Sequence, residues 1–173
     1  MKKFLQFAGL ISAVLAIVAF IFMMAGNGLV NKVSESTTYT VSGLRAIFGG
    51  KQETILGTAE YKPAATALIA WILVLVAIII LVAGVVLPLL KVSALEKFAG
   101  LLNLIAVCAL VVAGVLLFFT QPVFNQANKT SLGTLYDDYK LSFAFVMAAI
   151  LAIAGGVIAI LPAAMDFIGS KKK

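Results

Sequence analysis

Four stretches of this chain carry no ionisable side chain: residues 4–31, 63–90, 98–128 and 141–165. Each exceeds the roughly 20 apolar residues that cross a hydrocarbon core of about 30 Å. Hydrocarbon offers the backbone no hydrogen-bond partner, so runs of this length must close their N–H and C=O groups internally, as helices. The expected fold is an all-α membrane protein, a left-handed four-helix transmembrane bundle with a small extracellular β-element. Its helices fall at about 4–25, 64–89, 98–119 and 141–163 of a single membrane domain, 1–173. The surplus length implies tilt, or helix ends that project past the lipid. Composition agrees, since 63% of the residues are apolar and 12% charged, whereas soluble domains run near roughly one half and one quarter.

Lys2 and Lys3 followed by an apolar run also fit the start of a secretory signal. The run is about twice the usual 7–15 residues of a signal core and lacks a small-x-small cleavage site, so it reads as an uncleaved first helix. Orientation follows from basic density in the short segments. Lys2, Lys3, Lys91, Lys97, Lys171, Lys172 and Lys173 crowd one side. Lys32, Arg45, Lys51, Lys62, Lys129 and Lys140 spread over the longer segments of the other, diluted by Glu35, Glu53, Glu60, Asp137 and Asp138. The chain is therefore expected to be a multi-pass protein of the cell membrane with both termini cytoplasmic. Loops 26–62 and 120–140 then face outward, and Lys171 to Lys173 act as an anchor at anionic headgroups.

Small residues mark the packing faces. Ala144, Ala148, Ala152 and Gly156 recur every four residues on the last helix, and Ala106, Ala109 and Ala113 with Gly114 on the third. Lipid tails are as apolar as Leu, so helices associate by close van der Waals contact, which small residues permit. These stripes should meet each other or Gly9, Ala13 and Ala16 of the first helix. A homodimer seam would use the same spacing, but short connections favour packing within the chain. The halves also look related: Phe7-Ala8-Gly9-Leu10-Ile11 matches Phe98-Ala99-Gly100-Leu101-Leu102, Tyr61-Lys62 matches Tyr139-Lys140, and Ala83-Gly84 matches Ala154-Gly155. Chance matching in so small an apolar alphabet is the competing explanation.

In the first loop, 36–41 and 54–58 are rich in β-branched residues and flank Gly49-Gly50, which predicts an antiparallel pairing between them. Leu44, Ile47 and Phe48 fall at i, i+3, i+4 on one helical turn, positioned to tuck under the strands or lie on the bilayer interface. With Ile55 and Leu56 they form the candidate partner-binding patch. The second loop, holding Pro122, Gly133 and Tyr136 to Tyr139, should add a strand or a turn. Tyr61, Tyr136 and Tyr139 fit an interfacial aromatic belt.

Chemistry is sparse. No span holds the ionisable group that ion or proton movement needs at membrane depth. The chain has no His and one Cys, which removes intrachain disulfides and His- or Cys-based zinc and haem sites. Catalysis by a nucleophile paired with a base is correspondingly poor in candidates. Asp137 and Asp138 read as a solvated turn, Cys108 as a small buried packing residue and Asn103 as an interhelical clasp. Asn128-Lys129-Thr130 meets the glycosylation sequon, a frequent chance match. No enzyme activity, cofactor, metal or nucleic-acid partner is expected.

The layout, with four helices, internal termini, a long strand-bearing first outer loop and a shorter second, resembles the claudin and PMP22-like superfamily. Within it Gly43 and Leu44 sit where claudins carry a Gly-Leu-Trp segment before a Cys pair. Neither outer loop has a Trp or Cys there, so the resemblance implies the bundle and its outer β-element but not a paracellular barrier. The stretch Gly43 to Gly50 is also similar to an element of small four-helix proteins of Gram-positive bacteria and mollicutes.

Three functions compete. The first is a structural or interaction protein whose outer loop meets another membrane or envelope protein or a neighbouring copy. The second is an accessory subunit of a larger transport complex, docked through the small-residue stripes. The third is a handler of lipid or another small apolar ligand with a cavity between helices, which glycines spread through Gly84, Gly114, Gly155 and Gly156 would permit.

Overall fold

A computed structural model describes residues 2–54, 57–89, 99–132 and 139–170. Four of its helices are long and apolar enough to cross a membrane, the signature of a membrane protein: α1 (Lys2–Ala25), α3 (Ala65–Leu89), α4 (Ala99–Phe118) and α6 (Phe143–Ser170). Between them lie β1 (Asn27–Lys32), β2 (Thr38–Ser42), α2 (Gly43–Phe48), β3 (Gly50–Thr54), β4 (Gly57–Tyr61), α5 (Thr120–Leu132) and β5 (Lys140–Leu141). The long helices pack as a ring in which α1 touches α3 and α6, and α4 touches α3 and α6. All the short elements gather at one end as a cap.

The ring closes where side chains are smallest. The α4–α6 contact is the most extensive, and Ala106, Ala113, Ala148 and Ala152 are fully buried. A Cβ at Gly114 would lie 2.5 Å from Ile153 Cγ1 and 2.8 Å from the Ala149 carbonyl oxygen, and one at Gly156 would lie 2.8 Å from Val111 Cγ2. The two stripes thus face each other, as their spacing predicts. Gly9 departs from that expectation, because a Cβ there would meet nothing within 4 Å. Ser12 makes the approach instead: its hydroxyl donates to the Gly155 carbonyl at 2.6 Å. Cys108 also departs, lying exposed on α4 beside exposed Leu104, Ile105 and Val112.

In the cap, strand pairing is more local than expected. β1 pairs antiparallel with β2, β3 with β4, and the short β5 joins the other edge of β1 in the order β2-β1-β5. Among the described residues the predicted pairing of 36–41 with 54–58 is absent. β1, Asn27–Lys32, begins inside the first uncharged run and was disguised by it. A Ser34–Thr37 turn, with mutual backbone bonds near 3.3 Å, brings β2 back onto β1 at lower loop-closure cost than a longer-range pairing.

The second segment does add a strand, the short β5 at its end, but most of its described length is a helix outside that expectation, α5. Pro122 has no N–H to give the Phe118 carbonyl, and its ring crowds that oxygen. The α4 ladder therefore stops at Phe118, and the Phe119 N–H tightens onto the Leu116 carbonyl at 3.1 Å. Helix resumes at Thr120, placing Pro122 within the first turn, where a missing donor costs nothing.

Candidate interaction surface and the seams beneath it

The cap is assembled by hydrogen bonds from three carboxamide side chains. Gln52 of β3 reaches the edge of β2: its Nε2 donates to the Thr40 carbonyl at 2.8 Å, and its Oε1 accepts from the Ser42 N–H at 3.4 Å. Asn128 of α5 does the same at the end of β4. Its Oδ1 accepts from the Lys62 N–H at 2.8 Å, while its Nδ2 donates to the Lys62 carbonyl at 3.2 Å and to the Phe124 carbonyl at 2.9 Å. Asn125 Nδ2 donates to the Tyr139 carbonyl at 3.1 Å, tying α5 to the residue before β5. Each amide supplies what a further strand would have supplied to an edge. The seams run in a circuit, β5-β1-β2 to β3-β4 to α5 and back to β5. Ser142 closes the junction with α6 by donating to the Asn27 carbonyl.

The circuit is filled. Phe124 is fully buried, between Tyr61 at 5.9 Å and Tyr139 at 5.8 Å between ring centroids. Tyr61 and Tyr139 are buried, so these two rings belong to the cap core and not to an interfacial belt. Tyr136, Asp137 and Asp138 lie outside the described residues. Asn128 is itself fully buried, and an oligosaccharide on its amide would break the Lys62 bonds.

Between cap and ring lies α2. Ser42 caps its first turn by accepting from the Arg45 N–H at 3.4 Å, and Gly49, at φ 73°, ends it by donating to the Arg45 carbonyl at 2.9 Å. Gly43 admits no Cβ, which would collide with the Met23 backbone carbonyl. The compact Gly43–Gly50 motif is thus a one-turn helix bounded by two obligatory glycines. The Ala64 N–H donates to the Ala46 carbonyl at 2.9 Å and fixes α2 to the start of α3.

The expected partner-binding patch divides. Ile47 is fully buried in the shared core, while Leu44 and Phe48 remain 42% and 48% exposed. On so short a helix i and i+4 share a face, but i+3 is rotated enough to turn inward. Ile55 and Leu56 lie outside the described residues. Phe48 meets Trp71 edge-on at 5.1 Å, and Phe20 meets the same indole at 5.9 Å. Trp71 Nε1 is buried with no hydrogen-bond partner among the described residues, so packing on the two phenyl rings and the core holds the indole. Among the described residues of the cap, Val33 is an apolar side chain set in polar surroundings, 49% exposed at the β1–β2 turn among exposed Ser34, Glu35 and Ser36.

Sequence reasoning missed Gln52, Asn125 and Asn128. The spacing of Phe124 and Asn128 at i, i+4 was the available signal, placing an aromatic and an amide on one face. Among the described residues no group of three Cys, Asp or Glu side chains converges as a metal site would require. No protein-family model matches the chain, and no curated protein matches its sequence.

Proposed function

We propose that the chain is a non-enzymatic integral membrane protein of structural or interaction type. Its ring is a left-handed transmembrane bundle with both termini cytoplasmic, and its cap faces outward to meet an envelope protein, another membrane protein or a neighbouring copy. The observation that carries this reading is the circuit of seams: a cap bridged by three amides stands on spans without ionisable groups. Rigid display, rather than chemistry, is what such an arrangement favours. The claudin-like layout is consistent with it, since strands follow the first long helix and a shorter segment precedes the last.

The accessory-subunit reading loses its proposed docking face, because Ala106, Ala113, Ala148, Ala152 and Gly156 are already used between α4 and α6. The lipid-handling reading keeps one specific support. Leu104, Val107, Ile160, Ala163 and Ala164 line an apolar groove of about 270 Å³ between α4 and α6, toward the end away from the cap.

A photoreactive side chain introduced at Val33 in intact membranes tests the display reading. A discrete crosslinked partner or a crosslinked second copy supports it, and crosslinking to lipid alone defeats it. Mass spectrometry of the protein released from mild detergent tests the alternative, which requires a retained lipid that Ala163→Leu expels.

A further inference from the structure

The exposed face of α2 continues an apolar surface on the helices beneath it. α2 lies against both α1 and α3, and Trp71, the ring that Phe48 meets, is on α3 six residues past Ala65. At 1.5 Å per residue this is about 9 Å along the helix. Ile17 and Ile21 of α1 and Ile69 and Ile72 of α3 are exposed at the same level, where helices of this composition meet acyl chains. The neighbouring cation is drawn toward the cap: Arg45 Nη1 lies 3.1 Å from where a Cβ on Gly50 would be. Leu44 and Phe48 therefore form an uncharged apolar step between the lipid-facing isoleucines and the polar cap.

We infer that α2 is an interfacial wedge whose occupant is phospholipid, with Leu44 and Phe48 against the glycerol and upper acyl region of the cap-side leaflet. The one helical turn is too short to hold such a position alone, and its Ser42 and Gly49 caps with the Ala64–Ala46 bond supply the rigidity. The indole of Trp71 backs Phe48 from beneath at 5.1 Å. The inference rests on the membrane reading above and assigns these two side chains to lipid instead of to a protein partner.

Trp71 is the single tryptophan of the chain, which makes the test direct. Leu44→Trp and Phe48→Trp, each combined with Trp71→Phe, are reconstituted in phosphatidylcholine–phosphatidylglycerol vesicles. Some of the phosphatidylcholine carries a spin label near the top of its chains or near their ends. Interfacial helices bury their apolar face roughly 5–10 Å into the headgroup–acyl boundary, so the upper label should quench both probes at least about twofold more than aqueous iodide does. Val33→Trp with Trp71→Phe should respond to iodide alone. If iodide quenches positions 44 and 48 while native Trp71 still responds to spin-labelled lipid, the wedge is refuted and the membrane reading stands. Protection from both quenchers would mean protein covers α2, which also refutes it. Failure of spin-labelled lipid to quench native Trp71 would sink the membrane reading itself.

Discussion

Asn128 concentrates the connection between the two halves of the cap in one side chain, so replacing it gives a sharp test. Asn128→Leu keeps the branched four-atom shape of the side chain and removes three hydrogen bonds, two of which cross from α5 to Lys62. A hydrogen bond contributes about 1 kcal/mol net, and a polar group left unpaired in a buried seam costs about 1–3 kcal/mol. Lys62 is exposed on its side-chain side, so water recovers part of that penalty, and about 2–3 kcal/mol is expected in total. At 1.4 kcal/mol per factor of ten, the Lys62 amide should exchange its hydrogen roughly 30- to 140-fold faster. Amides in the middle of α4 and α6 should change far less, because local opening of the cap does not require the ring to separate. Asn128→Asp adds a pH signature. Burial and the Lys62 carbonyl disfavour the ionised form, raising the introduced carboxyl above its unfolded value of about 3.9. Below that value the carboxyl is protonated in both states and bonds both Lys62 groups as the amide does. This support is lost as pH rises through the higher folded value, so the variant should lie closest to the native protein in acid and weaken toward neutrality. Unchanged exchange at Lys62 in Asn128→Leu would show that the amide does not hold the seam.

Gln52→Leu should raise exchange at the Ser42 amide about tenfold, since roughly 1–1.5 kcal/mol of bonding to Thr40 and Ser42 is lost; hydrogen-exchange mass spectrometry reads it. Gly9 and Gly114 give opposite signs for one substitution. Gly9→Ala meets open space and should stabilise by up to about 1 kcal/mol through helix propensity. Gly114→Ala places its methyl against Ile153 and the Ala149 carbonyl and should cost about 1–3 kcal/mol, visible as a lower melting temperature in mild detergent.

The long helices were legible because apolar character that suits a membrane span has to extend over about 20 residues, so the signal is written redundantly along each run. The packing of α4 on α6 was legible for a related reason, since Ala106, Ala113, Ala148, Ala152 and Gly156 carry the helix period itself. The cap offers no such redundancy. Its strands join through Gln52, Asn125 and Asn128, isolated amides whose partners are remote in sequence and follow no period. Asn128 was masked by a sequon, and β1 by the apolar run from which it emerges. Ile47 illustrates a finer limit: spacing of i, i+3, i+4 places three residues on one side of a helix, but on a single turn the boundary between core and exterior passes between them. Tyr61 and Tyr139 stand where belt tyrosines would stand, and only the insertion of Phe124 between them makes them core.

The matched halves acquire meaning from the ring. Exchanging α1 with α4 and α3 with α6 carries the α1–α6 contact onto the α3–α4 contact. It also carries Ser12 onto Asn103, each the residue after its matched five-residue segment (7–11 and 98–102), and Gly155 onto Gly84. Ser12 bonds the Gly155 carbonyl, and a Cβ at Gly84 would lie 3.5 Å from Asn103 Oδ1. A chance resemblance between apolar strings gives no reason for both matched polar residues to meet both matched glycines. Double-mutant cycles on melting temperature can separate the explanations. Ser12→Ala with Gly155→Ala, and Asn103→Ala with Gly84→Ala, should each show coupling of about 0.5 kcal/mol or more, as residues in contact do. Gly155→Ala leaves the accepting carbonyl in place, so the Ser12 cycle reads the close approach of α1 and α6 together with any shift of the hydrogen bond. The crossed pairs, Ser12 with Gly84 and Asn103 with Gly155, should be additive. Coupling confined to one of the matched pairs would leave the likeness of the halves as a coincidence of composition.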